Sequence, residues 1–501
     1  MSLPVSSSLP RRVRRKPLAA SATAVFAISA ATAWAAPPAV TNCDDSGVGS
    51  LRYAVDPANG AGSGDTIDMS ALACGTITLT TGAINVTENL LTLHGPGQKA
   101  LTITGKGAGA PEPDRIILHN PSTPGHLYVD NLRVGYGYPA MNVYGQVYGG
   151  CIASFNGAVT LTDVGVYYCT ARTTATNTPA KPFPKALGGG VFASGSLTIV
   201  RSRLLHNTAT ATQAGVRVHG GCALAGGTFS MASSAVAYCA ATNTNVAGSH
   251  RVSAGALALG NSAFIARSII AYSYSSFAVG GIAAGSGSGT TVVISNSTIT
   301  SNSAHYIIGG VYSNAATIDI NNSTIVRNTA GQYTYLYNST PYFAAAGVSI
   351  SSYPTVSAPI SLDLESSIIS NNTAGGKPED LSIGASKAAV ITGANNLVHS
   401  YKSDVTLPGG QGNFTGICPR LGPLRNFGGG TYLHPLLSGS PMIDTGNNNA
   451  ADPGTGSPAL YDQRGPGYPR VSAPTADIGA YEYQKGDIVF DAEFADAGCP
   501  P

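Results

Sequence analysis

The chain has 501 residues, with 27 Lys+Arg against 25 Asp+Glu, so only 10% of it is charged, where an ordinary globular chain has about 25%. At 43% hydrophobic residues and a mean hydropathy of +0.10 it is too apolar for disorder. A helical bundle is excluded as well, because exposed helix faces are built from the Glu, Lys and Arg that are scarce here; a β-rich, turn-rich protein with a neutral surface remains.

Residues 1–35 read as a secretory signal peptide. Arg11, Arg12, Arg14, Arg15 and Lys16 form a cationic start, an Ala-rich apolar stretch runs from Leu18 to about Thr32, and Ala33-Trp34-Ala35 offers a small-x-small cleavage site. The competing reading, a membrane anchor, wants ~20 strongly apolar residues. No later stretch approaches that length, so no transmembrane segment is expected in the mature chain. Cleavage before Ala36 would leave 22 basic against 25 acidic residues, a net charge of −3.

Residues 36–148 are expected to form an N-terminal cap and the first coils. In CDDSGVGSLRYAV, Cys43 to Val55, Ser50 stands as N-cap before a short amphipathic helix that would cover an open apolar end. SGDTIDMS and the strand-like GTITLTTGAINV follow.

From 149 to about 400 the chain repeats. GGCIASFNGAVTLTDVGVYYCTA from Gly149, GGVFASGSLTIVRSRLLHNTA from Gly189 and GGCALAGGTFSMASSAVAYCAA from Gly220 align, and weaker copies start at Ala254, Gly280, Gly309 and Ala346. Each unit holds three short apolar stretches, such as Val191 to Ala193, Leu197 to Ile199 and Leu204 to Leu205, and none can bury its apolar face alone. Ser202, Ser234, Ser268, Ser297 and Ser323 fall in one column. Five residues on come Asn207, Cys239, Ser273, Asn302 and Asn328, a pattern in which side chains bond from one layer to the next. The expected fold is all-β: a right-handed, single-stranded parallel β-helix with three strands per turn, in preference to a propeller or sandwich.

Eight cysteines suit an exported, disulfide-bonded chain. Cys151 and Cys169 replace the Val and Asn of the standard unit, as do Cys222 and Cys239 two units later, so each pair should meet after one circuit. Cys43 with Cys74, and Cys418 with Cys499, then pair by elimination. Without CxxC spacing a metal site is not expected.

Variable inserts follow the Asn/Cys position and should line one edge. The first three carry Arg172, Lys181 and Lys185, then Arg217 and His219, then His250 and Arg251. Later ones carry Tyr272, Tyr274 and Phe277, then His305 and Tyr306, then Tyr333, Tyr335, Tyr337, Tyr342 and Phe343. Cations bind carboxylates or sulfates and aromatic faces stack on sugars, so Lys181, Lys185, Arg217, His219, His250, Arg251, Tyr333 and Tyr335 are the candidate ligand-binding residues, for an acidic polysaccharide or a host or cell-surface glycan. Solvated loops with Tyr packed on the coil are the bland alternative. The triplets at Asn296, Asn322 and Asn338 match glycosylation sequons, two of them by virtue of the ladder itself.

Residues 401–483 are expected to cap the other end and 484–501 to form a tail. Gly-Ser-Leu-Arg at 49–52 with Gly-Asp-Thr-Ile at 64–67, and the closing motifs at 439–444, 462–465 and 477–482, resemble bacterial exported proteins with a choice-of-anchor Q C-terminal region, related to polymorphic outer-membrane proteins. The resemblance spans roughly residues 43 to 483 and implies a pectin-lyase-like right-handed β-helix and export, and no agreed chemistry. No alternating strands of a C-terminal membrane barrel are seen.

The pectin-lyase-like fold invites an enzyme reading. Glycosidases need two carboxylates and calcium-dependent lyases several oxygen ligands, yet between Gly149 and Ile360 only Asp163 and Asp319 are acidic, several coils apart. Asp444, Asp462, Asp477 and Glu482 read as cap-stabilising partners of Arg464 and Arg470. No catalytic residue or cofactor is expected: HExxH, GxSxG and P-loop motifs are missing. Three function classes remain: a secreted or cell-surface (extracellular or outer-membrane-associated) adhesin or glycan-binding scaffold; a polysaccharide lyase or hydrolase; and a structural envelope or matrix component. No nucleic-acid partner is expected. Charge is segregated, −4 over 36–148, +7 over 149–360 and −6 over 361–501, so the middle is the place for an anionic partner.

Overall fold

The computed structural model describes residues 37–484 and 487, except 108–113, 246–251, 332–333, 338–339, 344, 352–359, 385–388, 403–404, 411 and 453–456. The signal segment, His250, Arg251, Tyr333, Cys499 and residues 488–501 therefore lie outside the described residues.

The molecule is nearly all strand, and its large sheets are parallel. Parallel pairing follows from the repeat, because each short apolar stretch bonds to its own counterpart one unit later. Ile152–Ser154 pairs with Val191–Ala193, which pairs with Ala223–Ala225 and then Leu257–Leu259. A second row runs Gly157–Thr162, Leu197–Val200, Phe229–Ala232 and Ala263–Ala266. The two rows form one broad 19-stranded sheet, joined through the long strands Ile282–Ser295 and Val311–Asn321. A second sheet of 11 strands stacks Gly165–Tyr167, Arg203–Leu205, Ala235–Ala237, Ile269–Ala271, Thr298–Thr300, Thr324–Val326 and Ile368–Ser370.

The repeats that open at Gly149, Gly189, Gly220 and Ala254 have a fourth strand where three were expected. The fourth comes directly after the Asn/Cys column, as Thr170–Thr173, Thr208–Ala211 and Ala240–Asn243, in a third parallel sheet. The reason is period-two alternation: Ala171, Ala209 and Ala241 turn inward and are fully buried, while Arg172 turns out. Identical positions stack through the core, as in Val191, Ala223, Leu257, Ile282 and Val311, and in Val166, Leu204, Val236, Ile270 and Ile299, all in one cluster.

Two polar columns fix the register. Ser202, Ser234, Ser268, Ser297, Ser323 and Ser367 are buried. Each hydroxyl accepts the backbone N–H of the matching residue in the preceding repeat, at 2.9 to 3.3 Å. Asn302, Asn328 and Asn372 do the same with their side-chain oxygens, and their amides also bond to one another. The Gly-Gly that opens a unit is steric: a Cβ at Gly189 would lie 2.1 Å from the carbonyl oxygen of Gly221.

Ser50 caps the helix Leu51–Ala54 by accepting from the Tyr53 N–H, and Leu51 and Ala54 join the main core. Disulfides link Cys43 to Cys74, Cys151 to Cys169 and Cys222 to Cys239, with Cα separations of 6.3, 5.4 and 5.3 Å. Cys418 is also disulfide-bonded. No helix among the described residues is long and apolar enough to cross a membrane.

The C-terminal segment does more than was expected of an end cap: Val405 and Leu407 pack against the main core, and the residues after them cover a sheet. Leu421, Leu433, Leu436, Met442, Ile478 and Tyr481 pack with Val326, Ile368 and Leu397 on the outer side of the second sheet. Gln463 accepts from Thr298, His434 bonds to Thr300, and Thr324 accepts the Ala480 N–H. The segment is thus a cover laid along the sheet, and it explains why Thr298–Thr300 and Thr324–Val326 are buried on both faces.

Candidate functional site

The inserts that carry the expected binding residues are partly strand. The first three leave through the third sheet and return through a fourth, four-stranded parallel sheet, in which Lys185–Leu187, Arg217–His219 and Val252–Ser253 follow Gln146–Tyr148. Lys185 lies between Gln146 and Arg217 as their register partner, which sets it about 4.8 Å along the sheet from each. Its ammonium sits 5.1 Å from the centre of the Tyr148 ring, a favourable cation–π geometry. Tyr148 packs in turn on Phe155 and Phe192, at 5.2 and 4.8 Å.

The structure thus brings Lys185 and Arg217 together, with His219 two residues along the same strand, while His250, Arg251 and Tyr333 lie outside the described residues. Lys181 is exposed on the turn bridged to Thr178, and exposed Arg172 donates to the Tyr138 hydroxyl at 3.3 Å. His219 is no surface cation: burial, with Arg217 beside it, pushes its imidazole down to about 4. Tyr335 lies on an antiparallel hairpin, Thr334–Tyr337 with Thr340–Phe343. Phe277 packs with Tyr306 at 4.9 Å in a small apolar cluster with Val216 and Val218, so these two aromatics serve packing. Exposed Tyr274 lies in the third sheet, and His305 meets Tyr306 edge-on.

Two features escaped the sequence reading. At the corner before Gly137, Cys169, Asn207, Cys239 and Ser273, the residues Tyr136, Tyr168, His206, Tyr238 and Tyr272 take left-handed backbone angles, which throw their side chains outward. The rings stack in order at 4.8 to 5.4 Å and within 17° of parallel. All five are exposed, yet their faces are spent on each other, so they offer edges and hydroxyls, and Tyr272 is no loop aromatic ready for a sugar. The corner before each ladder serine likewise turns out Asp163, Arg201, Ser233 and Arg267. The signal was present, since both columns stand one residue ahead of the aligned polar ladders.

Arg201, Arg203 and Arg267 line a cavity of about 370 Å³ where the C-terminal cover meets the second sheet. Arg201 pairs with Asp163 at 2.6 Å, and Arg203 donates to the Gln98 side-chain oxygen at 3.1 Å. Behind the rim, Arg464 pairs with Asp462 and Asp487, at 2.7 and 3.1 Å, and lies against the rings of Tyr468 and Tyr481. Arg470 pairs with Glu482 at 3.1 Å.

The acidic residues also need correction. A count that stops at Ile360 leaves Asp319 alone, but the next strand of the broad sheet sets Asp363 opposite it as register partner. Burial first, and Asp363 second, push the Asp319 carboxyl above its ordinary range. Thr392 donates to Asp363 at 2.8 Å. No cluster of three or more His, Cys, Asp or Glu suited to a metal occurs among the described residues. Comparison with protein-family models, curated proteins and solved structures finds no match.

Proposed function

We propose that the chain is an exported or cell-surface right-handed parallel β-helix of the choice-of-anchor Q type that binds an acidic polysaccharide or host or cell-surface glycan without turning it over. The observation that carries the reading is the basic pair Lys185 and Arg217, held in register on a sheet beside the Tyr148, Phe155 and Phe192 cluster. A fixed pair of cations repeating at the strand spacing suits an anionic chain, and the neighbouring ring supplies an apolar face. The disulfides support export, because such bonds persist in oxidising compartments.

One observation favours a second reading. Asp319 and Asp363 are register partners on adjacent strands, whose backbones lie ~4.8 Å apart, a spacing compatible with the paired carboxylates of retaining glycosidases, and one of them is shifted upward as an acid would be. A single experiment on polygalacturonate, alginate, heparin and dextran separates the readings. Retention of acidic polymers by wild type, at least tenfold weaker in Lys185→Ala/Arg217→Ala, with no new reducing ends or unsaturated products, is expected. Retention unaltered by the double substitution removes the insert sheet as the site, and reducing ends that vanish in Asp319→Asn establish the hydrolase.

A further inference from the structure

The second sheet has two kinds of outer face. From Ile269–Ala271 onward the C-terminal cover lies on it, with Leu424 against Ala237 and Ile269 as the first contact. Leu205 and Ala235 belong to that contact too, and before them the outer positions of Arg133–Gly135 and Gly165–Tyr167 form a strip along the direction in which repeats stack, running up to Arg203. The stacked rings of Tyr136, Tyr168, His206 and Tyr238 border one long side, and the corner residues Asp163, Arg201, Ser233 and Arg267 border the other. The strip ends at the cover, where the cavity lies.

The cavity's walls follow from the sequence of the repeats. Arg201 and Arg203 belong to one repeat and Arg267 to the next but one; the intervening repeat has Ser233 and Ala235 at the matching positions. Two layers of long cationic side chains thus flank a layer of short ones, and the short layer is the floor. Arg201 and Arg267 turn outward because their backbones are left-handed, with φ of 46° and 47°. Arg203 turns outward because Leu204, its neighbour, fills the core. The opposite wall is Gly430, Thr431 and the 463–466 turn. It is held rigidly, since the Gln463 amide donates to the Thr431 hydroxyl and to the Tyr432 carbonyl, at 3.0 and 2.8 Å.

The lining carries four arginines, Arg201, Arg203, Arg267 and Arg464, against one carboxylate, Asp163. Arg201 is matched by Asp163 and Arg464 by Asp462 and Asp487. Arg203 bonds to the neutral Gln98 amide and makes no ion pair among the described residues. An arginine fork that already faces a wall of polar groups recognises planar or tetrahedral oxyanions well. At about 370 Å³ the space is at the small end of ligand pockets, the size of one sugar ring with its acidic substituent. No aromatic side chain lines it, so it has nothing on which a nucleobase would stack.

We infer that this cavity is a binding site for a single saccharide unit bearing a carboxylate or a sulfate, reached along the uncovered strip. It is a site of its own, on a different sheet from Lys185 and Arg217, and it does not depend on the insert sheet binding anything.

The test is calorimetric titration of the whole chain with trigalacturonate, a sulfated heparin disaccharide, maltotriose and sodium sulfate. Wild type should bind one or both acidic saccharides, with carboxylate and sulfate arms distinguishing the two chemistries, and should not bind maltotriose. Arg203→Gln, at an exposed position with one side-chain hydrogen bond, should weaken that binding at least tenfold, and Ala235→Phe, which fills the floor, should abolish it. Should Ala235→Phe fail to fold by circular dichroism, Arg203→Gln carries the test. Unchanged affinity in Arg203→Gln overturns the inference, and so does sodium sulfate binding as tightly as the saccharides, which would mark an ion site. If Lys185→Ala/Arg217→Ala loses acidic-saccharide binding while Arg203→Gln keeps it, the cavity is excluded and the insert-sheet reading stands.

Discussion

Each ladder asparagine bonds in two directions. The Asn328 side-chain oxygen accepts the Asn302 N–H at 3.0 Å, and its amide donates to the Ile299 carbonyl at 3.0 Å and to Asn372 at 2.9 Å. A corner peptide that turns out of the ladder of strands is thereby satisfied by the next repeat, which is why the column tolerates only small hydrogen-bonding residues. The column ends at Asp380, which accepts from the Asn372 N–H and amide at 2.9 and 2.7 Å; burial, the dominant cause, pushes its carboxyl upward. At Cys222 and Cys239 a covalent bond spans the positions held by Gly190 and Asn207 in the neighbouring unit: Val191 is the register partner of Ala223, which corrects the expectation that the first cysteine of each pair replaces a valine. Closing a loop of this size contributes ~3 kcal/mol. Cys222→Gly with Cys239→Asn should lose about that much in denaturant unfolding. Cys222→Ala with Cys239→Ala should lose roughly 2 kcal/mol more, because it leaves a gap in the core and removes the ladder acceptor; equal losses would show that the column has no role there.

At the scale of the element, the two ends of the chain are held by buried charge. Burial alone would raise the Asp45 carboxyl, but hydrogen bonds from Arg52, Thr80 and Thr81 outweigh it and hold the group well below the usual range. Arg52, the Arg of Gly-Ser-Leu-Arg, also donates to the Gly82 and Ala83 carbonyls at 2.7 and 2.6 Å, so that motif ties the first helix to the first strands. In the C-terminal cover the balance is opposite. Burial, then the charge of Glu482, pushes Asp477 up to about 7. A carboxyl that keeps its proton in the folded state stabilises the fold below its ordinary pKa of about 4, and this contribution is lost as pH rises towards 7. Burial, with Arg327 nearby, pushes His434 down to about 3; it acts the other way, costing stability as pH falls below its ordinary value. Asp477→Asn isolates the first effect. Its melting temperature relative to wild type should rise steadily from pH 4 to pH 8, and a difference independent of pH would exclude Asp477 as the titrating group.

Across the whole molecule, charge is arranged against its own sum. Residues 36–501 total −3, while 149–360 carry +7, and the structure places Lys185, Arg201, Arg203 and Arg217 of that stretch on outer faces. Net charge alone would repel a sulfated surface; a local positive field within a Debye length would not be cancelled by the distant acidic ends. The chain without its first 35 residues should therefore be retained on heparin resin at pH 7 and low salt and elute as salt rises, and flow-through at low salt would show that the ends dominate.

Parallel pairing, the polar ladders and two of the cysteine pairings were legible along the chain, because a repeat stacked on itself turns sequence alignment directly into spatial neighbourhood; Cys43 with Cys74 followed by elimination. Lys185 beside Arg217 did not follow from that alignment, which set Gly189 against Gly220; the sheet is shifted by one residue and pairs Leu187 with His219. What was not legible is whatever joins residues far apart in sequence or depends on which way a backbone turns. The ring column from Tyr136 to Tyr272 needs left-handed corners to point outward. The pairing of Asp319 with Asp363 needs the following strand, beyond a long insert. The cavity needs residues near 200 and 267 to meet residues 430 and 463. The sequence by itself determined the β class, the repeat and the polar ladder columns, since those rest on local alternation and nearest-neighbour stacking, while the register at the opening of each unit was decided by the fold. Only the tertiary structure decided where the C-terminal segment lies, because its apolar residues could cover any exposed apolar surface, and the match of Leu421, Leu436 and Ile478 to Val326 and Ile368 is visible only once both are folded.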